Sequence, residues 1–115
     1  MSENIYHLAF SSDWALAQDH GAYQAESLNA EGFIHCSKWA QVKPVFERFY
    51  RTSLGLWLLR IDVSELNSEL VYENTEGGTE LFPHVYGAID LKAIVASHLM
   101  VSEDGTIDWP LQGFH

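Results

Sequence analysis

The chain has 115 residues, which is the length of one domain, and we expect a single domain over residues 1–115. Hydrophobic residues make up 47% of it and aromatic residues 13%, so it can bury a core and is not intrinsically disordered. The formal net charge is −10, with 6 Lys and Arg against 16 Asp and Glu. Such a surface repels phosphate backbones and anionic lipid, so we expect neither nucleic acid nor a membrane as a partner. A small neutral or zwitterionic ligand and a basic protein partner both stay open.

The single cysteine, Cys36, excludes an intramolecular disulfide and a zinc site made of several cysteines. The first residues carry neither the basic segment nor the apolar segment of a secretory signal. The longest apolar-rich stretch, residues 54–61, is far shorter than the roughly twenty residues of a membrane-spanning helix. We therefore expect a cytoplasmic protein.

The chain begins with a predicted strand and helix. Residues 5–10 are apolar and β-prone, which favours a strand. Ser11 or Ser12 is a suitable N-cap for the helix that follows, and Gly21 is its predicted end. Residues 23–28 have a weak pattern and predict no regular element.

A second strand and a second helix follow. Residues 32–36 predict the strand, and Ser37 is a suitable N-cap for the helix. Pro44 lacks a backbone donor, so we expect the helix to kink or restart there and to end near Arg51. The predicted core residues of this helix recur on one face, at Trp39, Val42, Phe46 and Phe49.

The second half of the chain is mostly extended. Residues 56–61 are apolar on both alternating faces, as in a central strand that is covered on two sides. Residues 74–79 contain two adjacent glycines and predict a mobile loop, and Asp90 is a suitable cap for a single helical turn. Further strands are predicted at residues 69–73, 82–86, 95–101 and 107–109. The fold class is therefore α+β, a mostly antiparallel curved sheet with two main helices.

Three of the six histidines occupy distinctive settings within predicted strands: His7, His35 and His84. An imidazole at an inward strand position needs a hydrogen-bond partner. Each of them alone is explained by a structural bond to a neighbouring carbonyl or hydroxyl group. Their recurrence in similar settings favours a shared site.

Cys36 and His35 are neighbours on a strand and point to opposite faces, so they do not form a nucleophile pair with each other. Cys36 is predicted to be a small buried apolar residue. The histidine spacings give no pattern of paired metal ligands, and we expect no metal. The chain also has no Gly-x-Gly-x-x-Gly motif and no Walker loop, which excludes the classical dinucleotide and P-loop folds.

Glu73 stands out among the carboxylates because it follows the apolar residues 70–72. A carboxylate at such a strand end can be a general base or a ribose-binding group. The alternative is a solvated acidic loop. Tyr86, in the strand at residues 82–86, can stack on a ligand ring or pack at the rim of the core.

Several blocks of the chain resemble a bacterial family of unknown function, the domain family numbered 952. The most specific are Gly-Phe-Ile-His-Cys-Ser at residues 32–37 and Phe-Pro-His-Val-Tyr-Gly at residues 82–87. Other matching blocks are residues 5–7, 58–62 and 72–73. The resemblance extends over residues 5–110. Some members carry a glutathione-transferase label, but this chain is too short for a thioredoxin-like half plus a helical half and has no Cys-x-x-Cys motif.

The family looks like a small outlier of the ADP-ribosyltransferase fold. In that fold, a histidine on the first core strand holds the nicotinamide-side ribose of NAD, and a polar residue on the next core strand assists. The resemblance implies the first role for His7 and the second for His35, with Ser37 on the same face. The third position of the fold, often a Glu on a late strand, has no clean match in this chain, where His84 or Glu73 could stand in. NAD is then implied as a substrate, with a small molecule or a protein side chain as acceptor.

Three hypotheses follow for the function. The first is an ADP-ribosyltransferase-like enzyme. Its catalytic residues are His7, His35 and Glu73, and its ligand-binding residues are Ser37, His84 and Tyr86. The second is a non-catalytic module that binds or senses a small molecule in the same histidine-lined pocket, and the third is a structural or interaction domain. Release of nicotinamide separates the first from the second, and convergent histidines with shifted pKa values separate both from the third.

Overall fold

The secondary-structure elements are short and follow one another closely along the chain. The structure is a computed structural model that describes residues 3–110 and 114. Its strands are β1 (Asn4–Phe10), β2 (Ala22–Tyr23), β3 (Ile34–His35), β4 (Leu56–Asp62), β5 (Glu69–Glu73), β6 (Phe82–Tyr86), β7 (Ile89–Asp90) and β8 (Ile94–Val101). Its α-helices are α1 (Ser11–His20), α2 (Glu26–Glu31) and α3 (Trp39–Val45). Single turns of π-helix (Phe46–Tyr50) and of 3₁₀-helix (Val63–Glu65 and Leu91–Ala93) complete the regular structure.

Strand β4 is the centre of the first sheet, with β1 and β8 antiparallel on its two sides. Its side chains are buried on both faces, as predicted for residues 56–61. Leu59 packs in one apolar cluster with Ala17 of α1, and Leu58 packs in a second cluster with Val42 of α3. The sheet therefore separates two parts of the core.

A second antiparallel sheet has the order β3-β6-β5, and β2 pairs with β7 in a separate two-stranded ladder. A backbone bridge between Tyr6 of β1 and Ser37, just after β3, joins the first sheet to the second. The two residues exchange N–H···O bonds of 2.8 and 2.7 Å. The antiparallel strands and the helices confirm the predicted α+β class, and the strands form three sheets rather than one. Among the described residues, no helix is long and apolar enough to cross a membrane.

Helix α1 covers the predicted residues and ends at Gly21. This glycine has φ 82°, in the left-handed region that glycine adopts easily, and its N–H donates to the carbonyl of Ala17 at 2.9 Å. The predicted serine N-cap is wrong, because no side chain caps this helix. Ser11 instead donates its hydroxyl proton to the carbonyl of Gly55 at 2.8 Å, which ties the start of α1 to the start of β4.

The second predicted helix changes form near Pro44, close to the expected restart. Helix α3 continues directly into the π-helical turn Phe46–Tyr50. Pro44 offers no N–H to an α-helical bond, and a π turn holds more residues than an α turn. The side chains after it are therefore rotated relative to an α-helix, so that Phe46 is buried while Phe49 is 57% exposed. The prediction that Phe49 and Trp39 are core residues is wrong, since Trp39 is exposed as well.

Two other segments differ from the predictions. Strand β2 and helix α2 lie where the weak pattern of residues 23–28 gave no element. Residues 107–109 form no strand, because only Ile107 pairs, in a single bridge with Val101.

The loop with two adjacent glycines, which was predicted to be mobile, is organised by Asn74. Its side-chain oxygen accepts the N–H groups of Glu76 at 2.9 Å and Gly78 at 3.0 Å. Its amide nitrogen donates to the carbonyl of Glu80 at 2.7 Å. Gln41 of α3 adds a bond of 2.9 Å to the Glu80 carboxylate, so the loop is tied to the helix.

Candidate functional site

His7 lies in the core, where both of its ring nitrogens are hydrogen-bonded. Its Nδ1 atom is 2.5 Å from the carbonyl oxygen of His35, and its Nε2 atom is 2.7 Å from the hydroxyl oxygen of Tyr23. A carbonyl oxygen only accepts, so Nδ1 carries the proton and Nε2 accepts the Tyr23 hydroxyl proton. His7 is 6% exposed and Tyr23 is fully buried.

Burial sets the charge of His7. The loss of hydration lowers its pKa to about 4, and the hydrogen bond to the His35 carbonyl offsets only part of that effect. His7 is therefore a neutral imidazole at physiological pH. Burial likewise raises the pKa of Tyr23, so this pair carries no charge.

The outer face of the second sheet carries a group of rings and carboxylates. Strand pairing places His84 of β6 between His35 of β3 and Val71 of β5. Residues two positions apart on a strand share a face. The residues in mutual contact there, which we call the outer-face cluster, are Phe33, His35, Glu73, His84 and Tyr86.

The rings of the cluster are close-packed. Phe33 stacks on His84 with ring centroids 4.2 Å apart and planes 22° apart. The rings of His35 and His84 meet edge to face with their centroids 5.2 Å apart, and the ring centroids of Tyr86 and Phe33 are 5.3 Å apart. His84 is buried, whereas His35 and Tyr86 are exposed, so the cluster opens to solvent on one side.

Glu73 is the charged centre of the cluster. It accepts a short hydrogen bond from the Tyr86 hydroxyl and lies 3.0 Å from Nδ1 of His84. The bond from Tyr86, and to a smaller extent that from His84, holds the pKa of Glu73 below its ordinary value. The carboxylate is therefore ionised at neutral pH. The bond to Glu73 conversely raises the pKa of Tyr86. The Glu73 side chain is 28% exposed and remains within reach of a ligand.

His84 uses one ring nitrogen in the cluster, and only 4% of its side chain is exposed. A carboxylate accepts, so the Nδ1 atom of His84 donates to Glu73 and, in the neutral ring, Nε2 is an acceptor. Within residues 3–110 and 114, no hydrogen-bond partner contacts this Nε2 atom. His35, by contrast, uses its Nε2 atom in an exposed pair with Glu31 at 2.9 Å.

The structure brings together four of the six site residues predicted from the sequence: His35, Glu73, His84 and Tyr86. His7 is outside the cluster and touches it only through the His35 carbonyl. Ser37 is buried at the bridge to Tyr6. Two residues were not predicted from the sequence as part of the site: Phe33, although strand parity puts it on the face of His35, and Tyr23, which lies in a segment with no clear pattern. Cys36 is buried in the core as predicted, and burial raises the pKa of its thiol.

A cavity of about 490 Å³ lies elsewhere, between α1 and α2. Its polar lining includes Asp13, His20 and Glu26, and none of the predicted site residues lies in it. Loss of hydration, and then the charge of Glu26, raises the pKa of Asp13 there. No group of three or more His, Cys, Asp or Glu residues suited to a metal ion occurs in the described part of the chain.

Comparisons with known proteins agree with this fold. The family whose model matches the chain, over residues 9–97, is described as "Protein of unknown function (DUF952)". The matched residues include the whole outer-face cluster and exclude His7. The crystal structure of protein CC0527 from Caulobacter crescentus is similar, with a TM-score of 0.77 and 25% identity over 91% of this chain and 93% of that one. The solution structure of CC0527 gives a TM-score of 0.70 and 24% identity over 89% of each chain. No match was found among curated proteins.

Proposed function

The chain belongs to the family described as protein of unknown function 952. We propose that it is an ADP-ribosyltransferase-like protein that uses NAD at the outer-face cluster. The observation that carries the proposal is the ionised Glu73, which Tyr86 and His84 hold beside exposed rings. The arrangement combines a fixed negative charge, a free imidazole nitrogen and aromatic surface. Those are the groups that a ribose joined to a cationic ring requires.

Glu73 supplies the electrostatic part of the chemistry. When the bond between ribose C1′ and nicotinamide breaks, the electron pair leaves with the nicotinamide ring and the ribose gains oxocarbenium character. A carboxylate already oriented toward that position stabilises the positive charge without reorganising. The acceptor then forms the new bond to C1′ and releases its proton to water. The low pKa of Glu73 suits a charge stabiliser better than a general base.

The neighbouring rings supply orientation. The Nε2 atom of His84 can accept a hydrogen bond from a ribose hydroxyl, and its neutral form does not repel the developing positive charge. The exposed ring of Tyr86 offers a surface to a planar group such as nicotinamide, and the buried ring of Phe33 packs beside it. In this proposal His35, at the exposed edge, contacts the second ribose hydroxyl.

His7 has a positioning role in this proposal rather than the ribose contact implied by the family resemblance. Both of its nitrogens are already bonded, to His35 and to Tyr23. Its Nδ1–H fixes the His35 carbonyl and hence the end of β3 on which the exposed imidazole is mounted. Ser37, two residues further, anchors the same segment to β1 through its backbone.

A non-catalytic binding or sensing module is the second candidate, favoured by the openness of the cluster. His35 and Tyr86 are exposed to solvent, and the cavity of about 490 Å³ described above lies between α1 and α2 and not at the cluster. Displacement of nicotinamide proceeds best where water is excluded. An open face binds NAD, or another ligand with a planar cationic ring, without turning it over.

The charge of the protein restricts the acceptor. With a net charge of −10, the surface repels RNA and DNA, so the acceptor in this proposal is a small molecule or a protein side chain. We propose no metal, since the chemistry needs none.

Calorimetric titration of the purified protein with NAD tests the proposal. We expect saturable binding with Kd below about 1 mM, equivalent to about −4 kcal/mol. Glu73→Gln removes the charge and keeps the shape, and it should weaken binding about tenfold or more. Glu76→Gln is the matched control. It makes the same change in charge at an exposed position in the loop that follows β5.

The outcomes separate the candidates. Binding with release of nicotinamide, measured by chromatography and reduced in Glu73→Gln, supports the transferase. Binding without release over a day supports the sensing module. Absence of binding, or equal binding by the Glu73→Gln and Glu76→Gln variants, rejects the cluster as the NAD site.

A further inference from the structure

Arg60 lies in a ring-lined setting away from the outer-face cluster. It is half-buried on the central strand β4, where it pairs with Tyr6 of β1. Its guanidinium carbon is 5.9 Å from the ring centroid of Phe114. The rings that surround Phe114, with Arg60 and Phe114 itself, form what we call the Arg60 cage: Tyr6, Trp39, Arg60, His98 and Phe114.

Among the described residues, the charge of Arg60 is poorly compensated. In residues 3–110 and 114, the ion pairs all involve histidine, and no carboxylate lies within 4.0 Å of Arg60. Carboxylates are not scarce in this chain, which has 16 acidic residues. The buried Nε atom of Arg60 also has no hydrogen-bond acceptor in the part of the chain that the structure describes. A buried N–H donor of a cationic group normally has an acceptor, and an anion is the strongest one.

Phe114 meets these needs only in part. Its backbone carbonyl accepts a short hydrogen bond from one terminal nitrogen of Arg60, and its ring lies near the guanidinium. The ring also packs 6.4 Å from Tyr6 and 6.5 Å from Trp39, which are themselves 5.0 Å apart. Phe114 thus contributes a ring and one neutral oxygen. An aromatic carboxylate would contribute a ring, two oxygens and the missing charge.

We propose that the Arg60 cage is a binding site for an aromatic carboxylate and that Phe114 occupies it as an internal substitute. The planar fork of a guanidinium binds the two oxygens of a carboxylate together, so the second oxygen can reach the Nε atom that Phe114 leaves without an acceptor. Arg60 is the cation of the cage, and its single charge matches a carboxylate better than a phosphate dianion. Tyr6 and Trp39 form the wall for the ligand ring.

Benzoate is the probe that tests the site. An internal occupant reduces the apparent affinity by the fraction of molecules in which the site is open. If Phe114 fills the cage in nine of every ten molecules, Phe114→Ala should bind benzoate about tenfold more tightly than the wild type. Titration is followed by ¹H–¹⁵N NMR at the Trp39 indole and the Arg60 Nε–H signals, both of which lie in the cage.

Two variants establish whether the anion is held by Arg60. Phe114→Ala with Arg60→Gln should lose benzoate binding, and the neutral analogue benzamide should bind Phe114→Ala at least about tenfold more weakly than benzoate does. The matched control is a second pair of an arginine and a phenylalanine, which is exposed. In it the guanidinium carbon of Arg48 lies 4.9 Å from the ring centroid of Phe49. Phe49→Ala should leave benzoate binding as in the wild type.

The proposal is overturned if Phe114→Ala binds benzoate no more tightly than the wild type, or if Arg60→Gln leaves that binding intact. If removal of the whole ring unfolds the protein, Phe114→Leu keeps apolar volume and is tested in the same way. Tighter binding by Phe114→Leu supports the proposal, and unchanged binding rejects it.

Discussion

The buried His7 predicts a specific pH dependence of stability. In the folded protein its pKa is about 4, against an ordinary value of 6.5. Above pH 6.5 the ring is neutral in both the folded and the unfolded state, and its contribution to stability is complete. As the pH falls from 6.5 toward 4, the unfolded chain binds a proton that the folded protein does not, so stability is lost. From these two pKa values, the loss between pH 7 and pH 5 is about 2 kcal/mol.

His7→Gln isolates this effect. Glutamine does not titrate, and its amide group can donate to the His35 carbonyl and accept from Tyr23. Urea unfolding from pH 7 to pH 5 should show the wild type losing about 2 kcal/mol more than His7→Gln. His20→Gln, at an exposed histidine at the end of α1, is the control for removing one histidine, and its effect should be smaller. Equal losses in the wild type and His7→Gln would refute the reasoning, because His7 would then be accessible to protons in the folded state.

Three further predictions concern stability and reactivity. Tyr23→Phe leaves the buried Nε2 atom of His7 without a donor and should lower the free energy of unfolding, measured in urea, by about 1–3 kcal/mol. Tyr72→Phe removes a more exposed hydroxyl group and is the control, and equal effects of the two substitutions would contradict the buried hydrogen bond. Cys36 is buried with a raised thiol pKa, so a thiol reagent at pH 8 should label it at the rate of unfolding, and fast labelling of the native protein would contradict its place in the core. Gly55 has φ 66°, and an added Cβ atom would lie 2.9 Å from the Ser11 hydroxyl oxygen. Gly55→Ala should therefore lower the midpoint of thermal unfolding by several degrees, and an unchanged midpoint would contradict this.

The sequence pattern was sufficient for the strands and for the faces that their residues share. The continuous apolar residues of β4 identify a strand covered on both sides. Strand parity also correctly puts Phe33 and His35 together and separates Cys36 from them. Periodicity does not say, however, which face of a strand packs against the core. His7 and His35 have similar local sequences, yet one is buried and the other is exposed.

Long-range contacts account for what could not be predicted. Tyr23, the partner of His7, lies in a two-residue strand whose existence depends on pairing with β7. Glu73 and His84 meet because β5 and β6 pair in one register, which strand lengths alone do not fix. The π turn begins two residues after Pro44, near the predicted change, but the exposure of Phe49 depends on how many residues that turn contains.

The most direct test of the NAD proposal is an NMR titration that locates the ligand. The ring signals of His84 and His35 are followed as NAD is added to the wild-type protein and to Glu73→Gln, with His20 as an internal reference. We expect saturable shifts of the His84 and His35 signals, little change at His20, and about tenfold weaker binding in Glu73→Gln. If NAD at several times 1 mM leaves both cluster histidines unshifted, the outer-face cluster is not an NAD site.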